Sequence, residues 1–347
     1  MASISTLKIN SYFFMLMMVT IFGLFLLIVV TLIGIPYPLN LIIIVIFTLI
    51  FVLIQIAVAS AVVRWSTKTR YLKPGENPFF EGMVKRLTKE AEVPMPKLGI
   101  VENPTPNAFV FGLTQEGSTL AVHTGLLDKL NKKEIEAVIG HEIGHIKNRD
   151  CMYMTILSVI PLISYMGMYL MWAGRGGGRD KNAGILVVIG LLSMVVYFIT
   201  ALLIKKLSRI REYYADAYSG YITKDPHSLA SALTKITYGL SLAPPDKKQS
   251  DAARSFYIGD VQNAHKEMDS IKKNASKYDL DGDGVIDDQE LELAMQDEAR
   301  WGAWDKMGNM FSTHPPTFKR ILALKEMEKE MDKGQIRQDN IYEKVEF

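Results

Sequence analysis

The sequence predicts a mainly helical chain with a small β-sheet, threaded more than once through a membrane. Three observations carry this expectation. First, apolar residues make up 49% of the 347 and gather in four uncharged blocks, about Tyr12–Ile35, Leu39–Val63, Met152–Trp172 and Gly184–Ile204. Each runs for about 20 residues or more, enough to cross a hydrocarbon core of roughly 30 Å. Second, Ile135, Val138, Ile139, Ile143 and Ile146 recur at helical spacing behind Asn131, with Glu134 placed as in a capping box. Third, proline-punctuated "VPMPKLGIVENPTPNAFVFG" and near-alternating "STLAVHTGLL" read as short extended pieces of a sheet.

In chain order, the first two blocks form a membrane hairpin over residues 1–64, joined by the uncharged turn "PYPLN". The first block is too long for a cleaved signal and no small-residue cleavage site follows it, so it is expected to remain as an anchor. A polar region over 65–151 opens with turn-rich "LKPGENP" and a helix from Phe79 to Ala91. The extended pieces follow, then the helix containing "HEIGHIKN". Blocks three and four form a second hairpin over 152–204. Residues 205–347 then hold the helical "KKLSRIREYYADAYSGYIT", the surface loop "LAPPDKKQSDAA", an acidic insert over about 260–302, and "FSTHPPTFKRI" leading into an amphipathic helix.

The net charge of +2 points to neither nucleic acid nor an acidic partner. The cations are local instead: Arg64, Lys68, Arg70 and Lys73 follow the second block, and Lys205, Lys206, Arg209 and Arg211 follow the fourth. The positive-inside rule therefore predicts polar regions in the cytoplasm and "PYPLN" outside, although Arg175, Arg179 and Lys181 in the loop between blocks three and four pull the other way. The single cysteine, Cys151, excludes an intrachain disulfide and reads as a packing residue.

His141 and His145 lie four apart, one turn above each other on a helix, so both imidazoles can reach one metal ion. Glu142 beside them can take a proton from water activated there, the arrangement by which HExxH sites hydrolyse peptide bonds. A third ligand is needed. "REYYAD" offers Glu212 and Asp216, again four apart: one carboxylate can ligate, the other can orient a ligand histidine. His123, on the predicted strand, reads as structural or surface rather than as a ligand.

A second metal motif follows. "DLDGDGVIDDQE" fits a calcium-binding EF-hand loop position by position. Asp279, Asp281 and Asp283 take the first three ligand positions and Gly284 the turn. Val285 offers its carbonyl, Ile286 is the apolar position, Asp287 stands where water bridges, and Glu290 closes the loop bidentately.

"HEIGHIKNRD", "REYYADAYS", "NAFVFG" and "FSTHPPTFKRI", in this order around the two hairpins, resemble the HtpX-like membrane zinc metalloproteases, relatives of the CAAX prenyl endopeptidases. The resemblance covers most of the chain. The calcium-type loop departs from that pattern and reads as an insertion.

The resemblance implies a gluzincin-type zinc protease domain with His141, His145 and Glu212 as zinc ligands. It makes Glu142 the general base and Asp216 the support behind a ligand. His314 and Arg320 match positions that contact substrate or the developing oxyanion, and Asn107, Ala108 and Phe109 a substrate-binding edge. It implies polypeptide substrates, in particular misfolded or surplus membrane proteins, and a multi-pass protein of the cell membrane with its catalytic part in the cytoplasm. A prenyl-protein protease and a calcium-binding scaffold without activity are the alternatives. Intact Glu142 speaks against the scaffold, and the small number of spans against a large intramembrane chamber.

Overall fold

The computed structural model describes residues 4–175, 181–244, 257–281, 289–291, 293–295, 312–334 and 336. Among them the two N-terminal apolar blocks form α1 (Ile4–Leu32) and α2 (Leu39–Thr67). Gly34, at φ +86°, takes the left-handed turn between them that a side chain would disfavour. At its far end α2 is closed by Thr67, whose hydroxyl donates to the Val63 carbonyl (2.8 Å).

The chain divides into two compact units: Lys8–Ala59 with Met152–Leu207, and Met1–Leu7 with Ser60–Cys151 and Ser208–Phe347. In the first, Met18, Phe22 and Phe25 of α1 pack with Leu157, Ile160 and Ile163 of α6 (Asp150–Arg175) and Leu207 of α7 (Lys181–Thr223). Gln55 donates to the Ser158 hydroxyl (2.9 Å), satisfying a polar pair among apolar neighbours. The outward surface is apolar too: Val45 is 64% and Leu49 57% exposed. In water such surface costs roughly 25 cal/mol per Å², and lipid removes that cost. Among the described residues, four helices are long and apolar enough to cross a membrane.

The second unit holds a four-stranded sheet in the order β1-β2-β4-β3. Its strands are β1 (Arg70–Tyr71), β2 (Lys97–Val101), β3 (Ala108–Phe111) and β4 (Thr119–His123). β2 and β4 run parallel, with Lys97 opposite Thr119, while β1 and β3 pair antiparallel on the two flanks. Leu120, Ala121 and Val122 at the centre are fully buried. The predicted strand stops at His123, and "TGLL" instead opens the short helix α4 (Thr124–Lys129). The reason is local: Thr124 Oγ1 donates to the Asn103 carbonyl (3.0 Å) and accepts the Asn103 N–H (3.1 Å), turning the chain off the sheet.

Between β1 and β2 lies α3 (Pro78–Glu90), capped by Asn77 and started by Pro78 at the position where a missing N–H is harmless. After the sheet lies α5 (Lys132–Lys147), whose predicted capping box is present: Asn131 Oδ1 accepts the Glu134 N–H (3.0 Å) and Glu134 Oε2 accepts the Asn131 N–H (2.8 Å). The fourth apolar block and Glu212 lie on one continuous helix, α7, of 43 residues. Behind α7, α8 (Pro226–Ser241) packs against α5, α9 (Val261–Lys273) and α11 (Thr317–Asp332), with the one-turn α10 (Ala275–Tyr278) after α9.

Candidate metal centre

The centre forms where α5 crosses α7. Two glycines make the close crossing possible. A Cβ on Gly144 would lie 3.2 Å from the Ala215 Cα, and one on Gly140 3.1 Å from the Ser219 hydroxyl. Ser219 Oγ ties the helices by donating to the Ala137 carbonyl (2.5 Å). The crossing brings Glu212 against the two histidines: Oε2 lies 3.7 Å from His141 Nε2, and Oε1 3.6 Å from His145 Nε2.

The histidines are oriented from behind. His141 Nδ1 lies 2.9 Å from Asp216 Oδ1, and His145 Nδ1 2.7 Å from Asp150 Oδ2. A carboxylate beside Nδ1 holds the proton there and turns each Nε2 lone pair inward. The two Nε2 atoms then face each other at 3.1 Å with a carboxylate across from them. Two lone pairs and an anion converging in a buried space repel one another unless a cation stands between them.

Electrostatics agree. Burial opposes a charge on His145, yet the hydrogen bond to Asp150 and the charges of Glu212, Asp150 and Glu142 outweigh it and lift its pKa to about 9. Burial lowers the pKa of His141, against the hydrogen bond to Asp216. Glu142 is buried, its two carboxylate oxygens have no hydrogen-bond partner, and burial above all pushes its pKa up to about 8. A buried, unpartnered carboxylate beside this donor set is what a base acting on bound water requires. The set of two imidazoles and one carboxylate fits a tetrahedral divalent ion with one open position.

The remaining expected residues gather beneath. Arg320, expected to contact substrate or the developing oxyanion, is buried, its side chain 2% exposed, with Nη1 3.4 Å from Glu212 Oε2. Nε and Nη2 donate to the two oxygens of Asp216 (2.8 and 2.7 Å), and Nη1 donates to the Ile258 carbonyl (2.7 Å). Its guanidinium thus holds the carboxylate that lies against His141. His314 is buried with Nδ1 3.4 Å from Glu212 Oε2, and Ser312 Oγ donates to its carbonyl (2.8 Å).

The model of Peptidase family M48 matches residues 74–328, a stretch that contains all of these groups. The chain belongs to peptidase family M48. It is 33% identical over 298 residues to Protease HtpX homolog 2 of Methanosarcina mazei, covering 85% of this chain and 88% of the relative. To the Protease HtpX homolog of Moorella thermoacetica it is 31% identical over 294 residues, covering 83% and 85%. Among solved structures, S. mikatae Ste24p is similar at 16% identity with a TM-score of 0.48, covering 92% of this chain and 67% of that one.

In this M48 peptidase, two site residues had no role assigned from sequence. Asp150 orients His145, and Arg211 is hydrogen-bonded to Asp150 from α7. Both stand inside the quoted motifs, five positions after His145 and immediately before Glu212. The signal that could have found them is Asp150 itself, an acid at the start of the next helix. Arg149, at φ +56°, takes the left-handed turn that swings it back to the imidazole.

The expected substrate edge of Asn107, Ala108 and Phe109 lies at the start of β3. β3 is the outer strand, but Asn107, Ala108 and Phe109 are buried and their outer side is occupied. Ile258 N donates to the Ala108 carbonyl (3.0 Å), Phe109 bridges Tyr257, and Asn107 Nδ2 donates to the Gly259 carbonyl (3.3 Å). There the chain covers its own edge with the Tyr257–Gly259 segment. His123 is buried between Phe109 and Tyr257, with Nδ1 2.9 Å from the Thr105 carbonyl, and burial lowers its pKa to about 4. It is a neutral structural group. Cys151 packs with Sγ 3.3 Å from the Val110 carbonyl.

Of the calcium-type loop, Asp279, Asp281 and Glu290 bring carboxylate oxygens within 4.8 Å of one another. Glu290 Oε1 accepts the N–H groups of Leu280 (2.6 Å) and Asp281 (3.4 Å). Asp283, Gly284, Val285, Ile286 and Asp287 lie outside the described residues.

Proposed function

We propose that this membrane M48 peptidase is a zinc endopeptidase in which His141, His145 and Glu212 hold the ion and Glu142 is the general base. The observation that carries the reading is the pair of inward Nε2 atoms 3.1 Å apart beside an unpartnered, buried Glu142. When bound, zinc supplies Lewis acidity that brings the pKa of water toward neutrality and polarises a carbonyl. Glu142 takes the proton from the attacking water and passes it to the leaving amine, serving as base and then as acid. Asp216 with Arg320, and Asp150 with Arg211, keep both imidazoles in the ligating tautomer. His314, beside Glu212, donates to substrate or to the growing oxyanion.

Its substrates are polypeptides, membrane proteins in particular, and its task is their quality control. The hairpins over residues 1–64 and 152–204 anchor the chain in the cell membrane, and the segments 65–151 and 205–347 work on the cytoplasmic side. The cations that follow the second and fourth apolar blocks support that orientation. Glu142→Gln is expected to abolish proteolysis of casein while zinc remains bound at one equivalent per chain, measured by metal analysis. Substantial cleavage by that variant refutes the assignment.

We also propose that Asp279, Asp281, Asp283, Val285, Asp287 and Glu290 bind calcium. Support comes from the convergence of Asp279, Asp281 and Glu290 and from the loop pattern. Calorimetric titration with calcium should give one site in the intact chain and none in Glu290→Gln. Identical heats for the two proteins exclude the site.

A further inference from the structure

The C-terminal end of α2 carries an exposed surface that the metal centre does not use. Counted from Leu39, the uncharged part of α2 ends at Val63, long enough at about 1.5 Å per residue to cross roughly 30 Å of hydrocarbon. Arg64 is the first charge after it, and Trp65 follows with 83% of its surface exposed. Four residues beyond α2 the chain has already turned into the sheet, with Tyr71 of β1 paired to Gly99 of β2. Tyr71 is 38% exposed, and cations flank its ring from α2 and from β2: the Arg64 guanidinium 5.3 Å and the Lys97 ammonium 5.8 Å from the centroid. Lys68 and Lys73 are exposed beside it, and no Asp or Glu occurs between Arg64 and Lys73.

We propose that this surface docks on the anionic phospholipid headgroups of the bilayer that α2 enters. Indole and phenol rings with an apolar body and a polar edge settle at the headgroup level. Clustered Lys and Arg within a Debye length of an anionic leaflet are drawn to it. An indole this exposed, directly after an apolar helix, is costly in water and satisfied at that depth. Because β1 begins three residues after α2, docking holds the β1–β2 flank of the sheet at the interface. The sheet is then levelled by lipid on the flank opposite β3. The inference rests on α2 crossing the bilayer, part of the reading above.

The test uses the full chain in nanodiscs, with Trp65 left as the single tryptophan by Trp172→Phe, Trp301→Phe and Trp304→Phe. Lipids brominated near the headgroup should quench Trp65 strongly, more so with phosphatidylglycerol than with phosphatidylcholine alone. Arg64→Gln with Lys68→Gln, Lys73→Gln and Lys97→Gln should abolish that difference between lipids. A companion protein with Trp65→Phe and Phe51→Trp reports on α2 alone and should be quenched by lipids brominated near the chain ends. Quenching of the Phe51→Trp probe without quenching of Trp65 overturns the docking and leaves the span standing. Quenching of neither overturns the span as well. Equal quenching of Trp65 in both lipids, unchanged by the glutamines, overturns the anionic headgroup as the partner.

Discussion

At the residue scale, each α5 imidazole is gripped by a carboxylate and each carboxylate by an arginine: His141–Asp216–Arg320 and His145–Asp150–Arg211. The grip matters because an imidazole presents a lone pair at Nε2 only while its proton stays on Nδ1. Removing such a support costs about 10–100-fold in metal affinity in comparable sites. Asp150→Asn is therefore expected to weaken zinc binding by about that factor in a competitive chelator titration, with its fold retained. An affinity equal to wild type would show that Asp150 serves packing alone. Arg320 carries more than orientation. Its loss strands the Asp216 carboxylate in a buried site, which costs about 3–5 kcal/mol when one partner of a buried pair is removed.

At the element scale, α11 starts at Pro316–Thr317, where the cap residue offers no side-chain bond. Glu267 of α9 supplies one instead, accepting the Thr317 N–H (2.8 Å) at the positive end of the helix dipole. Burial lifts the Glu267 pKa from 4.5 to about 7, against the hydrogen bonds of Thr317 and the charge of Arg320. An unfolded glutamate releases its proton near 4.5 and the folded one only near about 7, so in that window the native state binds the extra proton. Stability therefore falls as pH rises through it, by on the order of 3 kcal/mol once the window is passed. Glu267→Gln keeps an acceptor for Thr317 and removes the titration. The variant should gain melting temperature relative to wild type on going from about pH 5 to about pH 8. A difference independent of pH would show that Glu267 titrates normally.

At the scale of the whole molecule, the chain between His145 and Glu212 leaves the centre as α6 and comes back as α7. Ligands that meet at one ion must lie on one side of a membrane, so the intervening chain crosses it an even number of times or not at all. The turn between α1 and α2 holds Tyr37, 77% exposed. In a Cys151→Ala background, Tyr37→Cys in intact cells should react with a membrane-impermeant thiol reagent, whereas Lys68→Cys should react only after lysis. The reverse pattern would invert the proposed topology.

Much of this was legible in one dimension. The apolar runs announce helices through length alone, and the capping box at Asn131 and Glu134 is written within four residues. His141 and His145 converge because a helix repeats every turn, so their spacing is a local property. What could not be read locally lies across distances. Both Glu212 and Asp216 face α5. Only the Gly140 and Gly144 crossing decides that Glu212 stands before the Nε2 atoms and Asp216 behind His141. The placing of Asp216 and the Ile258 carbonyl around the Arg320 guanidinium is likewise a matter of distant segments. The edge at Asn107–Phe109 is closed by residues some 150 positions away. By itself the sequence determined the elements, the histidine pair and the place of Glu142 beside it, because helical period and hydropathy act between near neighbours. The tertiary structure alone decided which carboxylate faces which nitrogen and which strand edge is covered. Those depend on how closely two backbones approach, and that follows from packing across the fold.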